Sequence, residues 1–278
     1  MSFADQITTL AIPETTASDD VGAPRIWWRN GVNAGTVKTA GAFYTKQDEF
    51  AGGLAAPWEI VSRYENETGY GAEQLKIAVL AWRSQPFRDP KDATGKKIKD
   101  GRREWFLKWE EGMQLYTEAL CFVEGTDTPA VFCCDGMTGR AVSGKGGILK
   151  SYQAGLLSQA SLVAKRGLPL WTFWIPIATK RNSDGKIAYV DTGFGSLTTP
   201  PAAFYPANAM DVLFVGQELL TRGAEILNTT HLNWTKTIPP HRLPGNVINA
   251  TDYTVSEVPQ LSAPVRNVPQ PIEADDTY

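Results

Sequence analysis

The chain has 278 residues, 42% of them hydrophobic and 21% charged, the make-up of a globular protein long enough for one large core or two small ones. No run approaches the ~18 consecutive apolar residues of a membrane span, and the opening "MSFADQITTLAIPETTASDD" lacks a basic start followed by an apolar stretch, so neither a membrane contact nor a secretory leader is expected. Three cysteines (Cys121, Cys133, Cys134) without C-x-x-C spacing and two histidines (His231, His241) speak against a disulfide framework or a metal centre, fit a reducing compartment, and imply no cofactor.

In chain order, residues 1–24 are polar and acidic and read as a mobile arm ending at Pro24. "RIWWRNG" (25–31) and "GAFYTK" (41–46) are short, aromatic and bounded by glycine, and predict strands. "APWEIVSRYEN" fits either a strand or a short helix. "LKIAVLAWRSQPF" (75–87) predicts a buried strand ending at Pro86. "REWFLKWEEG", "QLYTEALCFVEG" and "TPAVFCCDG" predict three more, the last stopped by Asp135-Gly136.

The apolar period then changes. Ile148, Leu149, Tyr152, Leu156, Leu157, Ala160, Val163 and Ala164 recur at three- and four-residue steps and predict an amphipathic helix closed by a left-handed Gly167. "LPLWTFWIPIAT" and "KIAYVDTG" predict a hairpin turning at Asp184-Gly185, and "NAMDVLFVGQELLTRGAEIL" a second helix capped by Asn208. Seven of the last 40 residues are proline, which predicts an extended tail over 237–278. The body, residues 25–236, is therefore expected to be α+β and mainly β: an OB-fold-like antiparallel barrel with an inserted helix, extra strands before residue 75 and a C-terminal helix.

"GRAVSGKGG" contains G-x-x-x-x-G-K, the start of a nucleotide-binding phosphate loop. The hydroxyl residue that would hold magnesium is replaced by Gly146, and the surrounding chain does not alternate strand and helix. Two readings remain open: a solvated glycine connection, or a segment presenting Arg140, Lys145 and Lys150 to a polynucleotide backbone.

The charge is unevenly spread. Residues 76–186 carry 18 Lys/Arg against 11 Asp/Glu, a net of +7, whereas each flank carries −5. Aromatic residues stand beside these cations: Trp28 with Arg29, Tyr44 with Lys46, Trp82 with Arg83 and Arg88, and Arg102 and Arg103 with Trp105. Aromatic platforms with neighbouring cations hold single-stranded nucleic acid, by stacking bases and following phosphates. Because strand neighbours alternate, one of Trp27/Trp28 and one of Phe43/Tyr44 is expected to face outward, with Trp105 and Trp109 sharing a face. The segment 88–103, with Lys96, Lys97 and Lys99, reads as a basic hairpin arm. Strand aromatics commonly fill cores and hairpin tips are commonly Lys-rich for solubility, so both readings stand. Catalytic motifs are absent from the sequence: neither histidine has a nucleophile context, and Asp89, Asp100, Asp135 and Asp191 sit in turn-like surroundings.

The tail ends "PIEADDTY", with Glu273, Asp275 and Asp276 before a terminal Tyr278. An acidic tail closing on an aromatic, behind a body of OB-compatible order with a basic middle, resembles the single-stranded DNA-binding proteins of bacteria and phages. The resemblance implies a non-enzymatic protein of a bacterial host's cytoplasm, of phage or mobile-element origin, acting in replication or recombination. Its partners would be single-stranded DNA, with RNA as the other polymer the same chemistry suits, and replication or recombination proteins recruited by the four tail residues; self-association is compatible. The rival readings are a phage structural or assembly protein whose aromatics form core and subunit contacts, and a nucleotide-dependent or nuclease enzyme.

Overall fold

The structure, a computed structural model, describes residues 23–229 except 31, 35, 36, 40, 51, 52, 64–66, 97, 99–102, 127 and 192–196, together with residue 238. Residues 1–22 of the arm and the tail apart from Ile238, with Glu273, Asp275, Asp276 and Tyr278, lie outside the described residues, as do Lys97, Lys99, Arg102, His231 and His241.

The fold is mixed α+β and mainly β. Its strands are β1 (Arg25–Arg29), β2 (Val32–Ala34), β3 (Val37–Thr39), β4 (Ala42–Lys46), β5 (Glu59–Arg63), β6 (Glu67–Ala72), β7 (Gln74–Arg88), β8 (Glu104–Trp105), β9 (Gln114–Val123), β10 (Ala130–Cys134), β11 (Ile175–Thr179), β12 (Val190–Asp191), β13 (Leu197–Thr198) and β14 (Pro201–Ala203). Eleven of them run in one sheet in the order β14-β11-β7-β9-β10-β1-β4-β6-β5-β2-β3, with β8 hydrogen-bonded to β7 as its twelfth strand. All these pairings are antiparallel except that of β1 with β10, where Arg25 faces Val131.

The sheet is curled into a half-barrel. The Trp28 indole of β1 donates to the Thr199 carbonyl beside β14 at 2.9 Å, although four strands separate β1 from β14 along the sheet. Thr179 Oγ1 of β11 likewise donates to the Gly41 carbonyl, ahead of β4, at 2.9 Å. A bulge between Val79 and Ala81 bends the long β7, which sheets use to turn corners. The core runs continuously from Ile26, Trp28 and Phe43 through Phe132, Ala119 and Leu120 to Leu149, Phe173 and Leu220.

Several expectations are resolved or corrected. The strands before residue 75 extend the same sheet beyond β4, and Glu59–Arg63 is a strand. "REWFLKWEEG" contributes only the two-residue β8, and β7 continues through Pro86 to Arg88. Helix begins twelve residues before Ile148, at α1 (Gly136–Ser143), so most of "GRAVSGKGG" is helical. The longer helical run comprises α2 (Ile148–Tyr152), a π-helical turn (Gln153–Leu157) and α3 (Ser158–Ala164), and its left-handed cap is Lys165 (φ 54°) rather than Gly167. The second helix is divided into α4 (Ala209–Val212) and α5 (Gly216–Thr229), because Phe214 leaves the helix to bridge Phe173 and Gly216 takes φ +84°. Among the described residues no helix is long and apolar enough to cross a membrane.

Candidate nucleic-acid interface

The residues singled out from sequence fall into three groups. Trp28, Tyr44 and Arg83 are buried, which corrects their reading as surface contacts. Trp28 meets Phe43 edge to face at 5.1 Å between ring centres while holding Thr199. Phe43 and Tyr44 are both buried because β4 is covered on both faces, so neither points outward as alternation alone had suggested. Arg83 lies opposite Glu118 in the β7–β9 register; its Nε and Nη2 donate to Glu118 Oε2 at 3.1 and 2.9 Å, with Glu118 fully enclosed. Tyr116 donates its hydroxyl to Glu118 Oε1 at 3.0 Å and Arg25 stands 3.7 Å from the same oxygen, so the carboxylate is held by three groups. Burial and the neighbouring charges push the Tyr116 phenol well up.

A second group is half-buried or already engaged with protein groups. Arg88 donates to Glu110 at 3.0 Å and Arg103 to Asp89 at 3.2 Å and Asp135 at 3.1 Å. Arg103 also lies 4.3 Å over the Phe87 ring, so two carboxylates and an aromatic face already occupy it. Asp135 is thus a partner of Arg103 at the β10–α1 junction, in addition to preceding a left-handed Gly136. Trp105 packs 5.2 Å from Phe87 and 6.0 Å from Tyr116, and its buried indole N–H has no partner among the described residues. Arg29 covers the half-buried Trp27 at 4.2 Å, and Trp82 is half-buried against the core. Trp105 and Trp109 do not share a strand face: Trp109 lies beyond β8, exposed, its N–H on the Met113 carbonyl at 3.3 Å.

The third group is exposed: Lys46, at a loose 3.9 Å from Glu67, with Lys96, Arg140, Lys145 and Lys150. Arg140 closes α1 and Lys145 stands in the connection to α2; with Lys180, at the end of β11, they line a pocket of about 320 Å³. Pro200–Ala203 form its other wall, and Ser151 and Tyr205 complete it. None of its lining residues is acidic, and none of the three cations has an ion-pair partner among the described residues. Burial pushes the Tyr205 phenol up, so it stands there as a hydroxyl. Gly139, the first glycine of the G-x-x-x-x-G-K pattern, is buried inside α1 with no room for a side chain beneath the Leu115 carbonyl. A phosphate loop needs that backbone open between strand and helix, so the pattern does not form one here.

Two loops share one tip. In "DATGK" the Asp92 carboxylate accepts from the Thr94 and Lys96 amides, the Gly95 amide bonds the Asp92 carbonyl, and Gly95 takes φ +81°. In "NSDGK" the Asn182 side chain accepts from the Asp184 and Lys186 amides, the Gly185 amide bonds the Asn182 carbonyl, and Gly185 takes φ +74°. Each tip therefore holds a lysine, Lys96 or Lys186, at a fixed and exposed position. The likeness is visible in sequence as D/N-x-x-G-K, the first within the basic hairpin arm 88–103 and the second at the Asp184-Gly185 turn. Lys180, Tyr205 and the exposed Tyr189 and Phe204 carry no such sequence signal, because none forms an aromatic–basic doublet within a strand.

The three thiols are buried, and burial pushes Cys121 and Cys134 well above the ordinary range, which leaves them protonated and unreactive. Among the described residues no cluster of His, Cys, Asp and Glu is placed to hold a metal ion. No protein-family model matches this chain, no curated protein is significantly similar to it, and no solved structure matches its fold.

Proposed function

We propose that this protein binds single-stranded nucleic acid, DNA in the first place, without sequence preference, on an OB-like barrel. The role that follows is protection of the strand in phage or mobile-element replication or recombination, with the acidic tail recruiting partner proteins. The observation that carries the reading is connectivity: β14-β11-β7-β9-β10, with all the helical structure of 136–164 between β10 and β11. Read as strands 5-4-1-2-3, that order is compatible with an OB barrel carrying its helix between the third and fourth strands, although β10 pairs with β1 rather than with β14. In that correspondence residues 89–113 form the first-to-second-strand loop and residues 180–200 the fourth-to-fifth. Those are the two loops with which such barrels hold oligonucleotides, and here they carry the matched lysine tips and the exposed Trp109 and Tyr189. Aromatic stacking beside cations on both loops suits a flexible strand better than a duplex.

The test is fluorescence anisotropy with labelled oligo-dT at low and moderate salt, beside a duplex of equal length. Binding that prefers the single strand, and whose logarithm falls linearly with the logarithm of salt, is the expected result. Trp109→Ala is expected to weaken it by about 1–3 kcal/mol. Absence of binding at low salt would overturn the reading and favour the assembly protein.

A further inference from the structure

We infer that the pocket between the α1–α2 connection and β14 is a receptor for a phosphate monoester, the kind of group found at a strand end or on a free nucleotide. The inference deepens the single-strand reading where the monoester belongs to a strand, and rests on that reading only there. Arg140 and Lys145, from one segment, and Lys180, 35 residues beyond, line one cavity with no carboxylate in its wall. Other described cations are paired with acids, as Arg88 with Glu110, Arg103 with Asp89 and Asp135, and Lys76 with Glu124, or, like Lys96, Lys150 and Lys186, stand exposed outside any such cavity. Three unpaired cations around one concavity repel one another, and a bound anion relieves that repulsion.

Charge selects the anion. An internal phosphodiester brings one negative charge, whereas a monoester near neutral pH brings about 1.5 to 2, a closer match to three cations. The volume of about 320 Å³ stands at the lower end of small-ligand sites, enough for a phosphate with part of its nucleoside. The Tyr205 hydroxyl adds a donor and Pro200–Ala203 offer an apolar wall, while the Ser151 hydroxyl is already given to the Gly146 carbonyl at 3.1 Å. Arg140 also stands 5.8 Å from the ring centre of the exposed Trp109, so an aromatic face lies at the rim, in reach of a terminal base. Gly146, with φ +72° and open space where a side chain would be, keeps the entrance clear.

The experiment compares oligo-dT carrying a 5′-phosphate, a 3′-phosphate or only hydroxyl ends by anisotropy at one salt concentration, with dTMP, inorganic phosphate and sulfate as competitors. One phosphorylated end is expected to bind about tenfold more tightly than hydroxyl ends, the worth of a charge-assisted contact, and dTMP to compete better than sulfate. In Lys145→Gln/Lys180→Gln, checked for native circular dichroism, the ratio between phosphorylated and hydroxyl strands is expected to fall to about one, whatever the absolute affinity. Equal affinity of all three strands in the native protein, with no competition by dTMP, would overturn the monoester pocket while leaving single-strand binding intact. Failure of every strand to bind, with dTMP still binding in calorimetry and lost in the double variant, would overturn the single-strand reading and sustain the pocket as a nucleotide site. Failure of both would overturn the two together.

Discussion

Arg83 shows how a side chain chosen for its charge serves another purpose once it is enclosed. Its guanidinium and the Glu118 carboxylate face each other in the middle of the sheet, with Tyr116 and Arg25 completing the shell. Removing one partner strands the other charge away from water, so Glu118→Ala is expected to destabilise the fold by about 3–5 kcal/mol. Urea denaturation measures it, and a loss below about 1 kcal/mol would mean the pair is solvated. Trp28 and Trp109 form a second contrast. Trp28→Phe forfeits the hydrogen bond to Thr199 and is expected to cost about 1 kcal/mol of stability while leaving the folded protein's affinity for oligo-dT unchanged. Trp109 is exposed, so its replacement by alanine is expected to spare stability and weaken binding. Equal effects of the two on both readouts would erase the distinction between core and surface indoles.

Among the elements, the paired tips give a comparison within one molecule. Thr94 and Lys96 hydrogen-bond the Asp92 carboxylate and hold its pKa below the ordinary 3.8. A depressed acid stabilises the folded tip above its ordinary pKa and loses that contribution as pH falls through the folded value. Asn182 does the same mechanical work without titrating. Acidification from pH 6 to pH 2.5 is therefore expected to speed amide exchange, after correction for its intrinsic pH dependence, at Thr94 and Lys96 but not at Asp184 and Lys186. Loosening of both tips together would point to global unfolding instead. Helix α1 depends on a different constraint: Gly139→Ala would drive a methyl into the Leu115 carbonyl of β9 and is expected to cost at least about 1–3 kcal/mol.

These elements also show what was legible beforehand. β1, β4, β7, β9 and β10 were readable because each is an aromatic or β-branched run bounded by glycine, proline or Asp-Gly. α1 was not, because "GMTGRAVS" has two glycines and few apolar residues; its helix is held by the close fit of Gly139 on β9 and by Ser143 and Thr117, which hydrogen-bond at 2.6 Å. The break between α4 and α5 is tertiary too, made by Phe214 pairing with Phe173 rather than by a local stop signal. Of the candidate interface, the sequence supplied the cations Arg140 and Lys145 but not Lys180. The pocket joins residues 140–151 to residues 180 and 200–205, a proximity that periodicity does not carry.

For the molecule as a whole, buried acids of high pKa set an alkaline limit. Cys121 and Cys134 stay protonated in the fold, whereas in the unfolded chain a thiol ionises near its ordinary value of 9.0. A raised pKa leaves stability intact below that value and lost progressively above it, by about 1.4 kcal/mol per pH unit for each such group. Urea midpoints are accordingly expected to hold from pH 7 to 8.5 and to fall at pH 10, and a thiol reagent at pH 8 to label none of the three cysteines until urea is added. Labelling in the native state would show that the core opens.

The parallel contact of β1 with β10 sets a timetable for synthesis. Arg25 leaves the ribosome about a hundred residues ahead of Val131, an interval on the order of 5–20 s at ordinary rates of translation. During it, "IWW" can pair with β4, made soon after, but has nothing on its other edge. The knot of Trp28 on Thr199 waits longer still, until the last strand of the sheet is being made. The nascent chain thus carries an open tryptophan-bearing edge through more than a third of its elongation, a natural place for a chaperone to hold, and the sheet is sealed late by β1, the earliest of its described strands.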